Sequence, residues 1–301
     1  MALTYSWQGG DFHGPEEFIL VPLQFRTLSM SEIAARNQPI GIFDSGIGGL
    51  TVAQAIHAIL PEEQLIYFGD TAHLPYGDKS TAAIQAYAVK ICDLLVKQKC
   101  KVILIACNSA SAAAYELVRE YVGSKAHALN VIDPVIGYIG ESYPGHTVGL
   151  IGTKQTVNSN VYRKKLDDLN RQVTLNSVAT PLLAPMIEEG FFNNNISESI
   201  IRKYLSDPAL ADIAALILGC THYPLIKNQI ADFYAGKVEI VDASQLVAQH
   251  VKDFLDKENL RSPALTKDHK FYVSDFTRSF EASTRIFFNR EVHLEHYPLW
   301  E

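Results

Sequence analysis

One short pattern occurs twice in this chain and constrains its fold more than any other feature. Ile103-Leu104-Ile105-Ala106-Cys107 and Leu216-Ile217-Leu218-Gly219-Cys220 are apolar runs that end in a cysteine and lead into a polar turn. An apolar run without polar alternation suits a parallel strand buried on both faces, because helices cover both sides of such a sheet. The neighbouring sequence supplies the helices. Residues 40–43, 65–68 and 101–105 read as strands. Residues 50–60, 80–98 and 109–121 carry helical spacing, with Ser80 as an N-cap. The pattern then restarts, with strands at 148–151 and 215–218. The interval between the two cysteine runs nearly equals the interval between the strands ending at Phe43 and Ile151. Both intervals far exceed the about 20–50 residues of a repeat array. The reading is an α/β chain of two related halves, each built on a parallel sheet.

Length permits this, since 301 residues are enough for two ordinary domains with their own cores. A hydrophobic fraction of 48% with 20% charged residues is ordinary for a globular protein. The net charge of −7 argues against nucleic acid or an anionic membrane as partner, because both need a basic patch. No apolar run approaches the ~18 residues of a membrane span. The early run at 18–23 follows Glu16 and Glu17 and lacks a basic start, so it does not read as a signal peptide. Residues 1–38 are expected to be an N-terminal extension, with Met30 as an alternative start. Four cysteines without a CxxC or a secretory signal argue against a disulfide framework and for a cytoplasmic location.

In open parallel sheets, ligands bind beyond the carboxyl ends of the strands. Four polar turns fall there: Asp44-Ser45-Gly46, Gly69-Asp70-Thr71, Cys107-Asn108-Ser109 and Cys220-Thr221-His222. A cysteine between a strand and a helix sits near free backbone N–H groups, which should lower its thiol pKa. One such cysteine suggests a nucleophile, whereas two in related halves suggest an acid–base pair. A racemase needs that pair, one group taking the α-proton from one face and the other supplying a proton to the opposite face. The competing reading is two buried strand-end cysteines without a role, which is how Cys92 and Cys100 read. Asp44 and His222 could hold or activate the neighbouring thiols, or serve as an N-cap and a satisfied imidazole. The glycine-rich turn at residues 46–49 could bind a carboxylate through its N–H groups. Ser45, Asn108, Ser109 and Thr221 add side-chain donors, and Pro75-Tyr76-Gly77 could form one wall. Cys220-x-His222 lacks the further ligands that zinc wants, so no metal is expected.

These residues resemble the glutamate racemases of the aspartate/glutamate racemase family. Gly41-Ile42-Phe43-Asp44-Ser45-Gly46-Ile47-Gly48-Gly49-Leu50 is similar to their opening motif, and Asp70 with Pro75-Tyr76-Gly77 to the next. Ala106-Cys107-Asn108-Ser109-Ala110 and Leu218-Gly219-Cys220-Thr221-His222-Tyr223-Pro224-Leu225 resemble the two cysteine motifs. Gly152-Thr153 with Thr156, Ser159 and Tyr162 resembles a mid-chain motif. The likeness runs from about residue 39 to about 275. It implies two pseudo-symmetric parallel-sheet α/β domains with the active site in the cleft between them. The expected division is 39–131 plus 242–301 for the first and 132–241 for the second.

The resemblance implies interconversion of L- and D-glutamate without PLP or any other cofactor, supplying D-glutamate for peptidoglycan. Cys107 would act on D-glutamate with Asp44 assisting. Cys220 would act on L-glutamate with His222 assisting, and Glu188, chosen over Glu189, lies on that side. Asp44, Ser45, Pro75, Tyr76, Gly77, Asn108, Ser109, Thr221 and His222 would bind substrate. A homodimer is expected. Ser109 stands where the family usually has threonine, and Asp242-Ala243-Ser244 departs from the family order. Three other readings compete: a racemase for another amino acid such as aspartate, a non-catalytic binding protein, and a single-cysteine decarboxylase-like enzyme. Discrimination by one methylene is worth only about 1–3 kcal/mol. The presence of both cysteines disfavours the last two.

Overall fold

Alternate residues of β1 (Ile40–Asp44) face two different cores, Ile40 and Ile42 entering one and Phe43 the other. Successive side chains of a strand leave opposite faces, so a strand covered on both sides must be apolar throughout. The same division holds along β3 (Val102–Ile105), where Val102 and Leu104 oppose Ile103 and Ile105. The computed structural model describes residues 29–263, 268–276, 284–285, 287–288 and 292–301. Its other strands are β2 (Leu65–Gly69), β4 (His127–Asn130), β5 (Thr147–Gly152), β6 (Thr174–Ala179), β7 (Ala215–Gly219), β8 (Glu239–Val241), β9 (Lys270–Val273) and β10 (Glu295–His296).

The strands form a six-stranded sheet of order β10-β9-β2-β1-β3-β4 and a four-stranded sheet of order β6-β5-β7-β8. Every pairing is parallel. The expected α/β fold with two parallel sheets is thus the observed one. One core joins the halves, with Ile42, Ile56 and Leu104 in the same cluster as Leu150, Ile217 and Val251. Each fully buried aliphatic side chain of this kind contributes roughly 1.5–3 kcal/mol.

Helix ends follow local chemistry. Ser80 Oγ accepts from Ala83 N at 3.2 Å and starts the helix Thr81–Lys97. Asp242 Oδ1 accepts from Ser244 N at 2.9 Å and starts the helix Ala243–Lys257, which leads from the second sheet back to the first. The helix Met30–Arg36 is tied to the first sheet, because buried Lys101 Nζ donates to Arg36 O at 2.5 Å and to Glu63 Oε2 at 2.6 Å. The expectation of an extension over residues 1–28 lies outside the described residues. Among the described residues no helix is long and apolar enough to cross a membrane.

Candidate active site

Strand β3 ends in a buried stretch that delivers Cys107 to the rim of the six-stranded sheet, where it becomes the N-cap of the helix Asn108–Val122. Its Sγ accepts from Ala110 N at 3.5 Å and lies 3.7 Å from Ser45 Oγ. The sequence reading expected the helix end to lower this thiol's pKa, and the structure corrects it. Burial pushes the Cys107 thiol up to about 12, and the charge of Asp44 adds to the rise; the Ala110 N–H and Ser45 offset only part of it. A thiolate gains little from one amide donor when it has lost its hydration. Cys107 is therefore held as a thiol.

Strand β7 delivers Cys220 in the equivalent way, at the rim of the four-stranded sheet. No α-helix follows directly: His222 caps the 3-10 turn Tyr223–Ile226, and the helix Lys227–Phe233 comes after it. The helix-end argument therefore does not transfer to Cys220. A side chain takes its place, because His222 Nδ1 lies 3.6 Å from Cys220 Sγ. Nε2 of the same ring is 2.9 Å from Glu188 Oε1, within ion-pair reach but outside hydrogen-bonding geometry. Burial alone would favour the neutral ring. The charge of Glu188 and the interaction with Cys220 outweigh it, and the His222 pKa lies well above 6.5. Between Glu188 and Glu189, it is Glu188 that meets the histidine.

Asp44 sits fully buried behind the wall of the site. Its Oδ2 accepts from Gly46 N and Gly49 N, each at 3.1 Å, and Thr221 Oγ1 approaches Oδ1 at 3.5 Å. Two N–H groups of the glycine-rich turn are thus spent on Asp44, which leaves fewer for a ligand carboxylate than the sequence reading supposed. Burial raises the Asp44 carboxyl pKa, against the opposing charge of His222 and the two glycine donors.

The side chains meet around one narrow cavity, lined by Ser45, Pro75, Tyr76, Gly77, Cys107, Asn108, Ser109, Thr153, Ala184, Glu188, Gly219, Cys220, Thr221 and His222. Every residue expected to act in catalysis or to bind substrate lines it except Asp44, whereas the glycine-rich turn 46–49 and the turn with Asp70 and Thr71 do not. Tyr162 donates its hydroxyl to Asn108 Oδ1 at 2.7 Å, which leaves the amide NH₂ to donate elsewhere. Ser109 Oγ and Thr153 Oγ1 are 2.8 Å apart and join the two halves across the cavity. Thr153, Ala184 and Gly219 line the cavity without being among the expected site residues. Thr153 follows a strand-end glycine and could have been found by that position, whereas Ala184 carries no chemical signal. Among the described residues, no group of three or more His, Cys, Asp or Glu side chains could hold a metal ion.

The family model described as Asp/Glu/hydantoin racemase matches residues 50–251. A glutamate racemase of Chlorobaculum parvum is 38% identical over 256 residues, covering 84% of this chain and 93% of that protein. The crystal structure of glutamate racemase from Francisella tularensis in complex with D-glutamate superposes with a TM-score of 0.83 at 38% identity, over 88% of this chain and 99% of that one. The glutamate racemase structure from Thermus thermophilus in complex with β-chloro-D-alanine gives 0.77 at 35% identity, over 87% and 97%. With its two parallel sheets and a cysteine from each at one cavity, the chain belongs to the Asp/Glu/hydantoin racemase family.

Proposed function

We propose that this protein is a glutamate racemase that interconverts L- and D-glutamate by a two-base reaction, without PLP or metal. The observation that carries the reading is the convergence of two buried thiols, one from each sheet, on a single cavity. Glutamate is the substrate of relatives that align over most of this chain, and one of them is solved with D-glutamate.

The two thiols have different partners, and this sets the direction of proton flow. Cys220 lies against a histidine whose charge Glu188 supports, an arrangement that stabilises a thiolate. Cys107, buried beside Asp44, keeps its proton. With L-glutamate, the Cys220 thiolate takes the α-proton and becomes a thiol, leaving a carbanion. Cys107 then gives its proton to the opposite face and becomes a thiolate. With D-glutamate the roles reverse: Asp44, whose own pKa is raised, takes the Cys107 proton and charged His222 gives its proton to Cys220, so that the Cys107 thiolate takes the α-proton and the Cys220 thiol delivers one to the opposite face. Ser45, Asn108, Ser109 and Thr221 surround the substrate with donors, and the 75–77 segment closes one wall. Donors aimed at the substrate carboxylate lower the cost of the carbanion.

The sheet topology supports a division into 39–131 plus 242–301 and 132–241, with the cavity between the two domains. The protein works as a homodimer in the cytoplasm, where its D-glutamate would serve peptidoglycan synthesis; sedimentation tests the dimer. Polarimetry tests the activity. The rotation of L-glutamate and of D-glutamate should each decay to zero without added cofactor. Decay with aspartate alone would move the substrate assignment, and no decay with either would reject racemase activity.

A further inference from the structure

The segment that follows β10 reaches back to the wall of the cavity. Trp300 Nε1 donates to Asp70 Oδ1 at 2.8 Å, and Asp70 is fully buried. The same carboxylate accepts from Ser274 Oγ at 2.8 Å and from the Tyr76 hydroxyl at 2.6 Å, with His73 Nδ1 3.0 Å away. Tyr76 lines the cavity, and its bond to Asp70 is of the short charge-assisted kind. A second route runs through rings. The Trp300 indole meets Tyr87 edge-on at 5.5 Å, and Tyr87 lies 5.7 Å from Tyr76. The indole also meets His73 edge-on at 4.6 Å and carries Lys90 Nζ 4.7 Å above its ring.

We propose that Trp300 is a positioning residue for the reaction: it orients Asp70, and Asp70 fixes Tyr76 and with it the 75–77 wall against which the substrate packs. A buried carboxylate that holds four donors has one orientation. Removing a donor from its outer side lets the group turn, and Tyr76 is the donor on its inner side. The indole N–H is thus coupled through Asp70 to the 75–77 wall.

The kinetic part of the test rests on the glutamate reading, and the structural part does not. Trp300→Phe keeps a ring and deletes the N–H. KM for L-glutamate should rise about tenfold, the scale of one lost hydrogen bond to a charged group, with kcat within about a factor of two. In a Tyr76→Phe background the same change should leave KM unmoved, because the link is already cut. An unchanged KM in the first case, or the same rise in both backgrounds, would overturn the proposal. Without any substrate, amide exchange across residues 71–79 should quicken about fivefold in Trp300→Phe. Unchanged exchange would overturn it too, whatever the wild-type protein does with glutamate. A wild-type protein without racemase activity would instead reject the functional reading.

Discussion

Cys220 Sγ and His222 Nδ1 lie 3.6 Å apart, and the far side of the same imidazole faces Glu188 at 2.9 Å. A carboxylate, a ring and a sulfur in line let a buried histidine stay charged where burial alone would discharge it. The line also ties the active thiol of one sheet to the helix Leu183–Glu188, whose Ala184 touches the same cavity.

Glu188→Gln removes the largest influence that raises the His222 pKa. The ring should then titrate at lower pH, read from its imidazole signals by NMR. The sign for stability follows from linkage: the wild-type pKa is raised, so the contribution of His222 is fully present below 6.5 and lost as pH rises through the raised value. Wild type should exceed Glu188→Gln in unfolding free energy most just below pH 6.5, and the gap should close at alkaline pH. A gap that widens with pH would contradict the assignment.

Cys107→Ser and Cys220→Ser should each lower racemisation by about 100- to 10,000-fold, the range of one lost proton-transfer group. Serine is close in size to cysteine, so thermal unfolding should move by only a few degrees. Near-normal turnover in either variant would remove that residue from the chemistry.

Gly48 sits under the His222 ring. A Cβ there would lie 2.5 Å from His222 Cε1 and 2.7 Å from Thr221 Oγ1. Gly48→Ala should therefore push the imidazole from Cys220 and cut kcat/KM at least tenfold, since about 1.4 kcal/mol of misplacement suffices. Gly137, exposed in the helix Ile132–Ser142 with nothing within 4 Å, is the control. Gly137→Ala should leave kcat/KM unchanged and stabilise by up to ~1 kcal/mol.

Ser109 meets Thr153 at 2.8 Å and Thr156 at 3.4 Å across the two halves. Ser109→Ala should raise KM by roughly five- to tenfold through one lost hydrogen bond. Ser109→Thr keeps the hydroxyl and should stay within about threefold of wild type. Steady-state kinetics with both enantiomers checks both.

The strands that carry the two cysteines were legible because burial on both faces forces an uninterrupted apolar run, as in β3 and β7. β4 and β6 were not, since His127, Asn130, Thr174, Asn176 and Ser177 interrupt the pattern at the sheet edges. Cys107, Cys220 and their polar neighbours could be named from strand ends alone. The pKa of Cys107 could not, because it depends on how much water the folded chain excludes, and a helix end predicts only the smaller opposing influence. The grip of Asp44 on Gly46 and Gly49 depends on turn geometry. The link from Trp300 to Tyr76 joins residues far apart in the chain, and no local pattern announces it.

The most direct test of the two-base account follows L-glutamate in D₂O by NMR and polarimetry together, at neutral pH with no added cofactor. The account predicts that the α-proton signal disappears as the rotation falls to zero, with deuterium in the D-enantiomer formed first, because the proton delivered comes from a thiol on the opposite face. Loss of the α-proton with rotation retained would mean that one base removes and returns the proton on the same face, and would contradict the account.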